Sequence, residues 1–312
     1  MARICIFGLA GAACLAVGSC LPARACDLSQ PEISQPETSQ PETSQPETSQ
    51  PETSQSETGM VASVVDGETL KLGDGRVVRL IGAKAPMPPL GWRGDDPWPF
   101  VDEAKDALAR LAAGQEVELK FGGRRLDRHG YLLAQVFVVS GEKRLWLQEE
   151  LVANGFARVY SFPDNRACAP ELLAREAEAR AKRLGLWGSS AYRIAGALDL
   201  KRLGRLTHSY QLVEGSVVAV GEGGGRLYLN FAKDWRSDFT ISVERKDLSA
   251  FAAAGIDLKH LAGKRLRVRG TLAWRNGPMI EASHPEQIEL LPDGSEKQLQ
   301  PPSQPTSPAI AL

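Results

Sequence analysis

Residue types that usually carry metal or redox chemistry are scarce in this 312-residue chain. The four histidines, His129, His208, His260 and His284, are scattered, with no H-x₃-H spacing, and no C-x₂-C occurs. Nothing in the sequence therefore points to a zinc site. Of five cysteines, Cys5, Cys14 and Cys20 lie near the N-terminus, and only Cys26 and Cys168 fall further in. That is too few for a disulfide framework, and Cys168 reads as a partly buried spectator rather than a reactive thiol. Long apolar runs are also missing. The longest near the N-terminus, residues 4–17, is too short to span a bilayer. Lysine and arginine are absent from residues 26–59, so the formal net charge of -1 hides an acidic segment beside mildly basic globular parts. Basic residues cluster at Arg124, Arg125 and Arg128 and again at Lys264, Arg265, Arg267 and Arg269. This is compatible with a polyanion partner without requiring one.

Residues 1–25 have the form of an export signal: Arg3, an apolar run, then small residues. Two cleavage readings stand. Ala23-Arg24-Ala25 is an A-x-A site that leaves a mature Cys26. Val17-Gly18-Ser19-Cys20 resembles a lipoprotein box in which Cys20 is acylated. The expected location is outside the cytoplasm, periplasmic or secreted, with contact to a membrane only through a lipid anchor on Cys20.

Residues 29–58 repeat a pentad: SQPEI, SQPET four times, then SQSET. A proline every fifth residue with no apolar face cannot build a packed core. The segment 26–59 is expected to be an extended, disordered spacer, reaching on the order of 90 Å at roughly 3 Å per residue. The tail 292–312, rich in Gln, Pro and Ser, is expected to be disordered as well.

Between them, residues 60–190 read as one domain. Short β-type runs at 60–65, 68–72 and 76–81 are separated by Asp66-Gly67 and Gly73-Asp74-Gly75 turns. Residues 101–113 place Ala104, Ala107, Leu108 and Leu111 on one helical face, with Gly114 as a stop. Strand patterns follow at 116–121 and 131–139, then helices at 147–154 and 169–183. Five strands with a helix between the third and fourth is the order of an OB barrel. After a helix-rich connector at 191–207, residues 208–291 repeat that order. Strands are expected at 210–220, 227–231, 239–243, 265–273 and 278–282, a helical stretch at 248–261, and a further short strand at 287–290.

The segments VVDGETLKL, RLIGAKAP, DEAKDAL, DRHGYLLAQV, LVANGFARVY and AEARAKRLGLW occur in this order and spacing. Through them residues 60–188 resemble the staphylococcal-nuclease-like (thermonuclease) family. The resemblance implies an α+β fold: an OB barrel with three helices, here followed by a second OB-like barrel. It also implies descent from a phosphodiester hydrolase that holds one Ca²⁺ with two aspartates and a backbone carbonyl. Such an enzyme positions water with a glutamate and binds phosphate with two arginines. That set follows from the reaction, because an anionic phosphodiester repels hydroxide until its charge is neutralised and a base is in place.

Residue by residue, the carry-over is incomplete. Glu68 stands where the first metal aspartate belongs, and Arg79 matches the first phosphate arginine. Lys84 replaces the second metal aspartate, and Ala85 stands where a threonine supplies the carbonyl. Met87 replaces the general-base glutamate, and Tyr131 replaces the second arginine. Glu68 is the only carboxylate left at the metal position, so no metal ligand set is expected. Ca²⁺ enters only if the enzymatic reading holds. Reversing a unit charge beside a dication at ~4 Å costs on the order of 10 kcal/mol before screening. Two placements of Lys84 are open: its ammonium points to Glu68 in the vacated metal position, or it reaches solvent. Asp95 and Asp96 lie on the following loop, most simply as a solvated turn, and Asp127 is expected to brace the Arg128 turn.

Three functional readings follow. The first is a weakened hydrolase. The second is a non-catalytic module that binds single-stranded nucleic acid or another polyanion through Arg79, Lys84, Tyr160 and Phe162. Trp92 and Trp98 lie on the adjacent loop, and aromatic and basic residues also interleave in the second barrel (Tyr228, Phe231, Trp235, Phe239 and Trp274 with Arg226, Arg236, Arg267 and Arg275). The third is an interaction scaffold whose protein partner the sequence does not name.

Overall fold

A computed structural model describes residues 26, 56–88, 92–93, 97–234 and 236–292. The export signal with Cys20, most of the pentad repeat, Asp95, Asp96, Trp235 and the tail beyond 292 lie outside the described residues. Among the described residues no helix is long and apolar enough to cross a membrane.

The first barrel opens with β1 (Glu57–Asp66), three residues earlier than the pattern predicts, followed by β2 (Thr69–Leu72) and β3 (Val77–Leu80). The Asp66-Gly67 turn closes as expected: Asp66 Oδ1 accepts the Glu68 amide at 2.9 Å. Gly67 has a steric reason as well. A Cβ there would meet Ala85 Cβ at 2.8 Å and Ala104 Cβ at 2.9 Å, so only glycine lets those segments close over Glu68. A short strand, β4 (Gly82–Lys84), precedes helix α1 (Val101–Ala112), which buries Ala104, Ala107 and Leu108. Strands β5 (Glu116–Lys120), β6 (Leu132–Ser140) and β7 (Lys143–Trp146) follow, then α2 (Leu147–Ala153), β8 (Arg158–Tyr160) and α3 (Ala169–Ala181).

The pairings β1–β2, β2–β3, β3–β6, β6–β5 and β5–β1 close a five-stranded barrel; all are antiparallel except β3–β6. β6 is buried along most of its length because it pairs with three strands, β3, β5 and β7, and lies under α2. Buried Gln148 of α2 seals that end. Its side chain donates to the carbonyls of Ile81 and Ala134 and accepts the Val136 amide. The pattern gave no warning of β4, β7 or β8. Three or four residues are too few to show a period, and β4 and β8 exist only through each other.

A connector carries β9 (Ala195–Gly196) and α4 (Leu200–Arg205) to the second sheet. There the expected strand at 210–220 is two strands, β10 (Tyr210–Ser216) and β11 (Ala219–Gly223), bent apart at Val217-Val218. β12 (Arg226–Asn230), β13 (Thr240–Glu244), α5 (Leu248–Ala253), β14 (Arg265–Trp274), β15 (Pro278–Glu281) and β16 (Ile288–Leu290) complete it. The neighbour order β11-β12-β13-β15-β14-β10 includes one parallel contact, β13–β15. Taking β10 and β11 as one bent strand, this is the closure of the first barrel repeated. Its core contains Leu229, Ile241, Val243, Leu266, Val268 and Phe239, and α5 contributes Phe251.

One expectation is corrected outright. Cys168 is no spectator: it forms a disulfide with Cys26, with Cα atoms 5.2 Å apart across 142 residues of sequence. Cys26 is buried with the core of the first barrel. Both ends of the repeat segment, Cys26 and β1, are therefore held on the same barrel, which a free spacer would not require. No sequence spacing could reveal a bond that only the fold brings together. Closing so long a loop restricts the unfolded chain, and Cys168→Ser is expected to lower stability by about 2–4 kcal/mol. Urea unfolding with and without reductant measures this. An unchanged midpoint would count against the bond.

The two barrels share a buried polar interface. Glu176 of α3, fully buried, accepts the Val159 amide at 2.8 Å, Arg180 Nη1 at 2.7 Å and Arg269 Nη1 of β14 at 2.8 Å. Around it, Arg166 pairs with Glu286, and Arg180 with Glu289. Ser161 Oγ lies 2.8 Å from Nε2 of buried His284, whose pKa burial lowers to about 4.

Candidate functional site

A cavity of about 450 Å³ opens where β3, β4 and β8 meet the connector and the start of β10. Glu68, Arg79, Lys84, Met87, Tyr160 and Phe162 all line it, so the fold brings together residues chosen from separated segments of sequence. Ala85 and Tyr131 stand just behind, touching Glu68 and Arg79.

Glu68 is the centre of the arrangement and is nearly inaccessible, at 4% exposure. Lys84 Nζ donates to its Oε1 at 2.9 Å, and the Ala85 amide donates to its Oε2 at 2.7 Å. The first of the two placements open to Lys84 is therefore the one adopted. Arg79 approaches from β3, with Nε 4.0 Å from Glu68 Oε1 and its guanidinium 5.9 Å from the Tyr131 ring centre. Asp127 holds Arg79 from the other side at 3.7 Å. Burial pushes the Asp127 carboxyl up, but hydrogen bonds from the Tyr131 and His129 amides and the Arg79 charge outweigh it. The carboxyl therefore stays below its usual range. Asp127 thus braces its turn, as expected, and also orients Arg79.

Sequence reasoning overlooked the cation opposite Lys84. In the β4–β8 ladder, Lys84 faces Arg158 directly. Arg158 is buried, yet among the described residues no carboxylate pairs with it. Nη1 donates to the Tyr210 carbonyl at 2.8 Å, the guanidinium lies 5.1–5.3 Å from the ring centres of Tyr210 and Tyr192, and Nε has no acceptor. Burial lowers its pKa. Like charges directly opposite each other across a ladder are destabilising. The only sequence hint was an arginine inside the apolar run FARVY.

Tyr192 and Tyr210 complete the wall. Tyr192 accepts from Trp98 Nε1 at 2.7 Å and donates to the Pro99 carbonyl at 2.8 Å, which ties the loop after Met87 to the connector. Burial pushes its hydroxyl up to about 12. The Tyr210 hydroxyl, also raised by burial, donates to the Val159 carbonyl at 2.6 Å. Tyr160 packs edge-on against Phe162 with ring centres 4.7 Å apart. Burial, then the nearby Glu68 charge, raises its pKa.

The residues present do not fit Ca²⁺. That ion takes six to eight oxygens, largely from carboxylates. Among the described residues lining the cavity, Glu68 alone offers one, both its oxygens are engaged, and an ammonium stands beside them. Among the described residues no group of three or more His, Cys, Asp or Glu could hold a metal. Met87 lines the mouth with a thioether, which neither removes a proton nor suits a hard cation.

The basic and aromatic set of the second barrel does not form one surface. Phe231 and Phe239 are core residues, Arg267 pairs with Glu214 and Glu289, and exposed Trp274 flanks Gly204 of α4.

No curated protein matches the chain. Residues 32–189, just over half of it, match the family model described as staphylococcal nuclease homologue, while the second barrel lies outside the match. The barrel closure and that match agree: the chain belongs to the staphylococcal nuclease homologue family.

Proposed function

We propose that this protein is an exported member of its family whose hydrolytic site has become a metal-independent anion pocket. It would hold a phosphate of single-stranded nucleic acid or of another polyanion. The contact between Lys84 and Glu68 carries the reading, because it puts an ammonium where a dication would sit and engages the surviving carboxylate. Arg158 strengthens it: a buried guanidinium facing Lys84, with an unsatisfied Nε, is a group that an incoming anion would stabilise. Arg79 supplies a third cation at the rim, and Tyr160 and Phe162 offer ring surface for a base. Hydrolysis is correspondingly weak or lost, because among the described residues no carboxylate of the pocket stands free to position water. Export is supported by the signal-like N-terminus and by the disulfide, which suits an oxidising compartment. Both cleavage readings retain Cys26, and an anchor would use Cys20.

Calorimetric titration with a short 5′-phosphorylated oligothymidylate tests this. Binding is expected to be equal in EDTA and in Ca²⁺ and to weaken as salt rises. Arg79→Ala is expected to weaken it roughly tenfold, the worth of one charge-assisted hydrogen bond. Binding only with Ca²⁺, or Ca²⁺-dependent release of nucleotides that Glu68→Gln abolishes, would restore the hydrolase instead.

A further inference from the structure

A second cavity, of about 500 Å³, lies on the outer face of the second barrel, away from the pocket above. It crosses β11, β12 and β13 between two turns, Gly223–Gly225 and Arg275–Gly277. Its origin is plain in the register. Tyr228 pairs with Gly221 and Arg226 with Gly223, so β11 presents no side chain beside either. A Cβ at Gly221 or Gly223 would meet nothing within 4 Å. The glycines leave a trough, and one flank of the Tyr228 ring forms its wall. In OB barrels this face, between the first hairpin turn and the turn joining the last two strands, is a ligand surface for oligonucleotides or oligosaccharides.

Charge decides between the two. Arg226 is committed: it donates to Ser242 Oγ at 2.9 Å and pairs with Glu244 at 2.6 Å and Glu281 at 3.1 Å. Glu222 is neutralised by Lys259 at 2.8 Å. Only Arg275 lines the trough without a carboxylate partner among the described residues. A polyanion needs several cations along its path, and this trough offers it one. What the trough does offer is neutral: the Tyr228 hydroxyl, without a hydrogen-bond partner among the described residues, and the Asn230 amide. The Tyr228 ring stands beside open space. We propose that this trough is a second, independent binding site for a neutral oligosaccharide. A pyranose CH face would lie on Tyr228, and its hydroxyls would meet Asn230 and Arg275.

The test uses the full chain, with chitohexaose and cellohexaose as probes and a short oligothymidylate as the competing class. At least one hexaose is expected to bind with an affinity insensitive to salt. Gly221→Val fills the trough without a clash, and its backbone is extended, so its melting temperature should match the parent's while hexaose affinity falls at least roughly tenfold. Tyr228→Ala should give a similar loss. Failure of both hexaoses to bind, or binding that survives both substitutions, overturns the proposal. So does salt-dependent oligonucleotide binding that Gly221→Val abolishes.

Discussion

Replacing Lys84 with aspartate and Met87 with glutamate is expected to give this protein a Ca²⁺ affinity that the parent lacks. The ammonium of Lys84 lies 2.9 Å from Glu68 Oε1, in the space that any other cation held by that oxygen would need. At ~4 Å and an effective dielectric of ~20, each product of unit charges is worth about 4 kcal/mol. Exchanging a cation for an anion beside a dication therefore changes the balance on the order of 10 kcal/mol before solvent and relaxation reduce it. The same change releases Glu68 Oε1 as a ligand. Met87 is half-exposed at the mouth, so a glutamate there would be solvated and would strain nothing. Calorimetry should show Ca²⁺ binding to the double variant and none to the parent. Lys84→Met separates the causes, since it removes the repulsion but adds no ligand. It should gain far less than the double variant. If the folded double variant binds no Ca²⁺, the pocket has lost more than its side chains and the account of the ion pair is wrong. Cleavage need not return with the metal, because Tyr131, beside Arg79, brings no second cation to a phosphate.

Much of that pocket is visible in the sequence, for a physical reason. Glu68 follows a tight Asp-Gly turn and Arg79 sits on the next strand but one, so local signals place both. Lys84 was legible as a substitution, but its direction was not. Which way an ammonium points depends on what else is buried nearby, and here a carboxylate with one free oxygen determines it. Arg158, Tyr192 and Tyr210 were illegible as a set. Each belongs to a different segment, and they meet only because the second barrel docks against β8. Likewise β4 and β8 are each three residues long, below the length at which alternation can be read, though they carry the two facing cations. The second barrel's trough was hidden differently. Gly221 and Gly223 fall between the strands expected at 210–220 and 227–231, and only the register shows that they stand opposite Tyr228 and Arg226.

Docking of the barrels gives the second large effect. Glu176→Ala is expected to destabilise the protein by about 3–5 kcal/mol, the cost of removing one partner from a buried ion pair. In sequence Glu176 looks like any exposed helical acid in AREAEARA, yet it is fully buried and satisfies three donors at once. Its loss leaves Arg269, itself only 2% exposed, as an uncompensated buried charge and the Val159 amide without an acceptor. A double-mutant cycle with Arg269→Met tells pairing from packing, because the double variant no longer buries the unpaired guanidinium. It should recover part of the loss, so the two changes should be less than additive. Strict additivity in urea unfolding would mean the contact contributes no coupling. A consequence reaches the pocket as well. Val159, whose amide Glu176 holds, also accepts the Tyr210 hydroxyl, and Tyr210 in turn holds Arg158. Loosening Glu176 should therefore weaken phosphate binding even where the variant remains folded. Tyr210→Phe, which removes only the hydroxyl, should weaken it less, since the backbone carbonyl that grips Arg158 remains.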